Sequence, residues 1–213
     1  MILHDFFRSS AAYRVRLAVN IKGISVRQQP LDMYRDGGEH KMPGYTAKNP
    51  LKLVPTLELD DGRALPESLA IIEYLDATQG GARLIPDDPW EAARVRAASY
   101  AIACDIHPLN NLRVLQYLEH ELGQGKAAIQ SWYEHWVREG GLLGFQDMIG
   151  KDGPYCFGDQ LSMADCCLIP QLFNARRLNV PLDGLDRLVA IETACNDLPA
   201  FKDAQPSVQP GAF

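Results

Sequence analysis

The chain has 213 residues, 46% hydrophobic and 23% charged, with Lys+Arg 21 against Asp+Glu 27 and a net charge of -6. This is a globular composition, which excludes a disordered chain, and the charge balance supplies no global basic face for a nucleic acid. No apolar run approaches the roughly 18–20 residues of a membrane span, and MILHDFFRSS lacks the cationic start and apolar stretch of a signal peptide, so the expected location is cytoplasmic, with no membrane partner.

Ile2-Leu3 and Phe6-Phe7 flank a first short strand. Ala11, Ala12, Val15, Ala18, Val19 and Ile21 then recur at helical spacing, with Arg14, Arg16 and Lys22 on the other side and Gly23 as the stop. Val26 to Leu31 reads as a second strand, and the polar stretch Tyr34 to Lys48 as a loop with a short helix. Thr56 to Leu59, the Asp61-Gly62 turn and Arg63 to Leu65 form a hairpin signal. Ser68 opens a helix through Leu69, Ile71, Ile72 and Leu75 that stops at Gly80-Gly81. A strand–helix–strand succession predicts a parallel pair with a crossover helix, and the later hairpin adds antiparallel strands, which makes a small mixed α/β sheet.

From about residue 87 the strand signals vanish. Trp90 to Glu121 is a long helical pattern that Pro108 should kink or split, because proline removes a backbone donor. Ala127 to Ile149 is a second helical region, loosened by Gly140-Gly141. Ser162, with Asp165 three residues on, is a capping-box signal for a core helix. Leu188 to Cys195 is the last helix, and the Pro-rich tail from Gln205 should be irregular. The expected division is 1–82 for the α/β domain, 83–88 for a linker and 89–213 for an all-helical domain. The five cysteines are odd in number, contain no CxxC and are absent before Cys104. They read as buried thiols rather than a disulfide framework or a zinc site, and no metal is expected.

Three segments of the first domain could carry chemistry. Arg8-Ser9-Ser10 stands where the first strand gives way to the first helix. Two serines there are ordinary caps, but a helix N-terminus also stabilises an anion, and a hydroxyl there can lower the pKa of a thiol. No cysteine of the chain lies nearby, so such a thiolate would belong to a ligand. Leu53-Val54-Pro55 enters a strand through proline, either as a rigid loop or with a cis bond that leaves backbone groups able to pair with an extended peptide. Glu67-Ser68 could cap the following helix or hold an amino-acid-like end.

Together these segments resemble the glutathione-binding, thioredoxin-like domain of the cytosolic glutathione transferases, and the region with SMAD opening a core helix resembles that family's helical domain. RSSAAYRVRLAVNIKG is similar to the serine-type segment of the zeta class. Cys104-Asp105-Ile106-His107-Pro108-Leu109-Asn110-Asn111-Leu112-Arg113 is similar to a segment of bacterial maleylacetoacetate and maleylpyruvate isomerases of that class. The resemblance implies glutathione as cofactor and a homodimer. It implies Ser9 as donor to the glutathione sulfur with Ser10 beside it, and the backbone of Leu53, Val54 and Pro55 as the partner of the cysteinyl part. Glu67 and Ser68 would hold the γ-glutamyl end. His107 and Asn111, one helical turn apart, would touch the glycine carboxylate or the substrate. His107 equally reads as a helix-kink histidine bonded locally. Arg8, Arg113 and Arg177 would receive an acidic substrate, although without the resemblance Arg113 and Arg177 read as surface residues and Arg176 competes for the same role.

The implied activity is glutathione-dependent cis–trans isomerisation of a maleyl dioxo acid. Zeta members often carry Cys, and some Thr, where Ala11 stands here. That departure keeps two alternatives open: a transferase that conjugates or dehalogenates small electrophiles and consumes glutathione, and a glutathione-binding protein without chemistry.

Overall fold

The computed structural model describes residues 1–212 of the chain. It forms two compact units, Met1–Ile85 together with the tail from Asn196, and Pro86–Cys195. The division differs from the expected one at the C-terminal end, because the tail packs with the α/β unit and not with the helices. Asn20 Nδ2 on the first helix donates to Ala200 O at 2.9 Å, and Gln28 Nε2 donates to Gln209 Oε1 at 2.8 Å.

The α/β unit runs β1 (Ile2–Asp5), α1 (Ser10–Lys22), β2 (Arg27–Pro30), α2 (Pro43–Thr46), β3 (Thr56–Glu58), β4 (Ala64–Pro66) and α3 (Ser68–Thr78). The sheet order is β2-β1-β3-β4; β1 is parallel to β2 and β3 antiparallel to β4, as the crossover and the hairpin signal predict, and β1 joins the two pairs by running antiparallel to β3. Register decides where the connections lie. Leu3, Leu57 and Leu65 stand side by side across three strands, and so do His4, Thr56 and Pro66. The end of β1, the start of β3 and the end of β4 therefore share one end of the sheet. All three segments singled out in this unit leave the sheet there. Leu3 and Leu57 pack into the core with Val15, Leu17 and Ala18 of α1 and Ile71, Ile72 and Leu75 of α3.

Arg14, Arg16 and Lys22 are not on a solvent face. All three are buried, each with a polar partner distant in sequence. Lys22 Nζ donates to Asp76 Oδ1 at 3.1 Å and to Ala82 O at 2.9 Å, and Asp76 Oδ1 also accepts from Leu84 N. The C-terminal end of α1 is thus tied to α3 and to the chain leaving it.

The helical unit begins with α4 (Pro89–Tyr100), capped by Asp88, and continues without a break into a π-helical stretch, Ala101–Ile106. α5 (His107–Asn110) contains Pro108 directly after the π-helical stretch, and the helical backbone runs on through Ile106 and His107 into it. The break falls one turn later, at Asn111, whose extended backbone (ψ 145°) caps α6 (Leu112–His120). α7 (Lys126–Glu134) widens into a second π-helical stretch, His135–Leu142, and closes as α8 (Leu143–Met148). The two widened stretches pack together through Gly141. A Cβ there would lie 2.7 Å from the Ile106 side chain and 2.9 Å from Trp136 O. Alanine in a helix gains up to about 1 kcal/mol over glycine, but overpacking costs about 1–3 kcal/mol, and one of the two clashes is with backbone that cannot turn aside. Gly141→Ala is expected to lower the melting temperature by several degrees, read by calorimetry.

α9 (Met163–Arg177) is the core helix, with Ser162 and Asp165 forming the expected capping box, and α10 (Asp186–Asn196) follows it. Cys156, Cys166, Cys167 and Cys195 are buried and only Cys104 is exposed. Among the described residues no helix is long and apolar enough to cross a membrane.

Candidate functional site

At the shared end of the sheet, Ser9 is the N-cap of α1. Its Oγ accepts from Ala12 N at 3.2 Å, and its N–H bonds Phe6 O at 2.9 Å to close the turn leaving β1. A hydroxyl that accepts from the helix still has its own proton to donate, and the first turn of α1 contains no acidic side chain to oppose an anion. Ser9 is half-buried, whereas Ser10, at the first helical position, is buried. Ser9 is therefore the more accessible of the two hydroxyls. Arg8 is half-buried, with its guanidinium carbon 4.9 Å from the Phe7 ring centroid.

The Val54–Pro55 bond is cis. The preceding carbonyl, Leu53 O, is held by two side chains, Tyr45 through its hydroxyl and Asn49 through Nδ2 at 2.8 Å. The same two groups reach Thr56 Oγ1 at 2.8 and 3.1 Å, so both sides of the Val54–Pro55 step are fixed. Burial raises the Tyr45 hydroxyl pKa above its ordinary value, which keeps the group a donor.

Glu67 is exposed and has a positive φ of 70°, a conformation that few non-glycine residues adopt and that marks over-determined positions. Its carbonyl accepts from Ile71 N and starts α3. Ser68 is buried, and its Oγ accepts from Arg14 Nη1 at 3.2 Å. This bond ties the start of α3 to α1, and again leaves a hydroxyl proton available to donate.

In the helical unit, Asn111 Oδ1 accepts from Arg113 N at 3.1 Å, which fixes the amide orientation. Asn111 Nδ2 then faces His107 Nε2 at 3.3 Å. With Nε2 accepting, the neutral imidazole holds its proton on Nδ1. Arg113 is exposed. Arg176 is committed to Glu192 through Nε at 2.9 Å to both carboxylate oxygens, and Nη2 at 2.5 Å. Arg177 is exposed, makes no ion pair among the described residues and acts electrostatically on Tyr133.

Burial raises the Tyr133 pKa to about 12 from 10, with the Arg177 charge pulling the other way. A folded-state value above the unfolded one contributes stability that is complete below pH 10 and lost as pH rises through about 12. Phenolate absorbance should show a tyrosine ionising only in that window, together with a falling melting temperature. Earlier ionisation of all 8 tyrosines would contradict it.

Sequence reasoning missed the braces behind the site: Arg14 on Ser68, and Tyr45 with Asn49 on Leu53 O. A signal for the first was present. Arg14 and Arg16 lie two residues apart, roughly 200° around a helix, and cannot share a solvent face with each other.

The family model described as glutathione S-transferase, N-terminal domain, matches residues 8–78, and that described as the C-terminal domain matches residues 112–194. A maleylacetoacetate isomerase of Rhizobium meliloti (strain 1021) is 44% identical over 207 residues, covering 96% of this chain and 95% of the relative. A solved holo structure of a bacterial maleylpyruvate isomerase, described as a zeta-class glutathione transferase, superposes with a TM-score of 0.94 at 36% identity and covers 100% of both chains. A maleylacetoacetate isomerase from Methylobacterium extorquens AM1, solved with malonate and glutathione bound, superposes at 0.93 and 33% identity, also over 100% of both chains.

Proposed function

Because this chain belongs to the zeta class of the glutathione transferase family, we propose that it is a glutathione-dependent cis–trans isomerase of a maleyl dioxo acid, maleylacetoacetate or maleylpyruvate, acting in aromatic breakdown. The observation that carries the reading is the Ser9 hydroxyl, which accepts from Ala12 N and so has its own proton to give at the N-terminus of a 13-residue helix.

Glutathione fits the residues present. The segments around Ser9, Val54–Pro55 and Glu67–Ser68 leave one end of the sheet together, and each is braced from behind. When bound, glutathione supplies a sulfur nucleophile that adds to the cis double bond and departs after the resulting single bond has rotated. The chain supplies the rest. Ser9 Oγ–H donates to the sulfur, and the N-terminal dipole of α1 favours its anionic form, with Ser10 as the neighbouring hydroxyl. The backbone of Leu53 to Pro55 takes the cysteinyl part. Glu67 takes the ammonium and Ser68 the carboxylate of the γ-glutamyl end. His107 and Asn111 serve the glycine carboxylate. Arg8 stabilises the charge that develops on the conjugated ketone oxygens, a contact that strengthens only as the reaction proceeds. Arg113 and Arg177 receive substrate carboxylates, and Arg177 is preferred over Arg176 because Glu192 already neutralises Arg176. The working form is a cytoplasmic homodimer.

The test is kinetic. Maleylacetoacetate and maleylpyruvate are each supplied with catalytic glutathione, and the enol absorbance is followed while total glutathione is assayed. Turnover with glutathione undiminished is the expected result. Consumption of glutathione in proportion to product would make the protein a conjugating transferase, and no turnover of either acid would reject the reading.

A further inference from the structure

The tail reaches the Ser9 turn through one buried side chain. Arg16 is 2% exposed and uses every arm of its guanidinium. Nη1 donates to both oxygens of Asp5 at 2.8 Å, Nη2 to Phe7 O at 3.0 Å, and Nε to Ala204 O of the tail at 3.1 Å. Phe7 lies two residues before Ser9, inside the turn that Ser9 N closes onto Phe6 O. We propose that Arg16, clamped by the C-terminal tail, is a positioning residue that fixes the Phe7–Ser9 turn in the geometry that ionises the glutathione sulfur. The inference rests on the functional reading given above.

The tail side of the brace is itself fixed. Gln209 Nε2 donates to Asp203 O at 2.8 Å and to Gln205 O at 2.9 Å, the carbonyls on either side of Ala204. Gln209 Oε1 accepts from Gln28 Nε2 of β2. One buried glutamine therefore locks the segment that presents Ala204 O, and anchors it to the sheet. A planar fork is needed at the other side, because Asp5, Phe7 O and Ala204 O are reached from three different nitrogens. An ammonium keeps the charge but has no such geometry. Against the Arg16 guanidinium lie Asp5 from β1 at 2.8 Å and the Tyr13 ring of its own helix, its centroid 5.1 Å away, while Asp203 of the tail lines a cavity of about 350 Å³ that Arg16 also lines. Burial pushes the Asp5 carboxyl up while Arg16 pulls it down, so the pair holds together only as a unit.

The experiment uses the full-length protein and two variants, Arg16→Lys and Gln209→Ala. The readouts are the ultraviolet absorbance of the glutathione thiolate in the binary complex against pH, the pH profile of turnover, and the melting temperature. In Arg16→Lys the apparent thiol pKa is expected to rise by about one unit, so turnover near neutral pH falls about tenfold and recovers at alkaline pH. KM for glutathione should stay within about twofold. Gln209→Ala leaves the Asp5–Arg16 pair intact and should shift the pKa in the same direction by a smaller amount, and this variant decides the matter if Arg16→Lys does not fold. A lowered melting temperature with the thiol pKa unmoved in the folded variants would reduce Arg16 to a structural residue and overturn the proposal, leaving the isomerase reading intact. Absence of a thiolate in the unmodified protein would overturn both.

Discussion

Ser9→Gly is expected to lower turnover by about two orders of magnitude, the scale seen when one donor to a developing anion is removed. The choice of glycine separates two roles of the same hydroxyl. As N-cap of α1, Ser9 satisfies Ala12 N, and glycine at a cap costs only a few tenths of a kcal/mol, whereas alanine costs about 1 kcal/mol. The melting temperature should therefore barely move while thiolate absorbance in the glutathione complex falls at neutral pH. Ser9→Asp supplies the complementary result. It keeps a good cap but sets a carboxylate against the sulfur, so the thiol pKa should rise further than in the glycine variant. Equal activity in the glycine variant and the unmodified protein would remove Ser9 from the chemistry.

The largest effect on stability is expected at Asp165, which is fully buried. Oδ1 accepts from Cys156 N at 2.8 Å, and Oδ2 accepts from Ser162 N and Ser162 Oγ, both at 2.8 Å. Asp165→Ala strands two buried N–H groups at about 1–3 kcal/mol each, partly offset by no longer burying a carboxylate. A net loss of about 3 kcal/mol corresponds to a melting temperature lower by about 6–12 °C at this chain length. Asp165→Asn keeps one accepting oxygen but points an N–H₂ at a donor, so it should recover only part of the loss. A variant as stable as the parent would mean that the loop carrying Cys156 is held by something else.

What could be read from the sequence follows from how local each cause is. The capping box at Ser162 is visible because Ser162 and Asp165 stand three residues apart, and the hairpin is visible because Asp61-Gly62 states its own turn. The β1–α1–β2 unit is visible from the change of period. The partners of Arg14, Arg16 and Lys22 were not, because Ser68, Ala204 and Asp76 are brought close to them only by the fold. The same holds for Arg176, whose ion-pair partner Glu192 lies sixteen residues away, and for the tail, whose anchor is Gln28 in β2. Pro108 and Gly140-Gly141 announced irregular helices but not their form. The chain answered with two widened helical stretches packed on one another, and the true break fell at Asn111 because its side chain caps the next helix.

The register of the sheet also determines how this protein can be handled. Met1 and the Asp61-Gly62 tip lie at the end of the sheet opposite Ser9, with the N-terminal ammonium 2.6 Å from Asp60 and the space beside Gly62 open. A fluorophore, affinity handle or surface tether attached at either point turns the rim of the α/β unit that carries Ser9 toward bulk solvent and sacrifices one exposed ion pair at most. An immobilised preparation joined there should therefore take up glutathione as readily as the free protein.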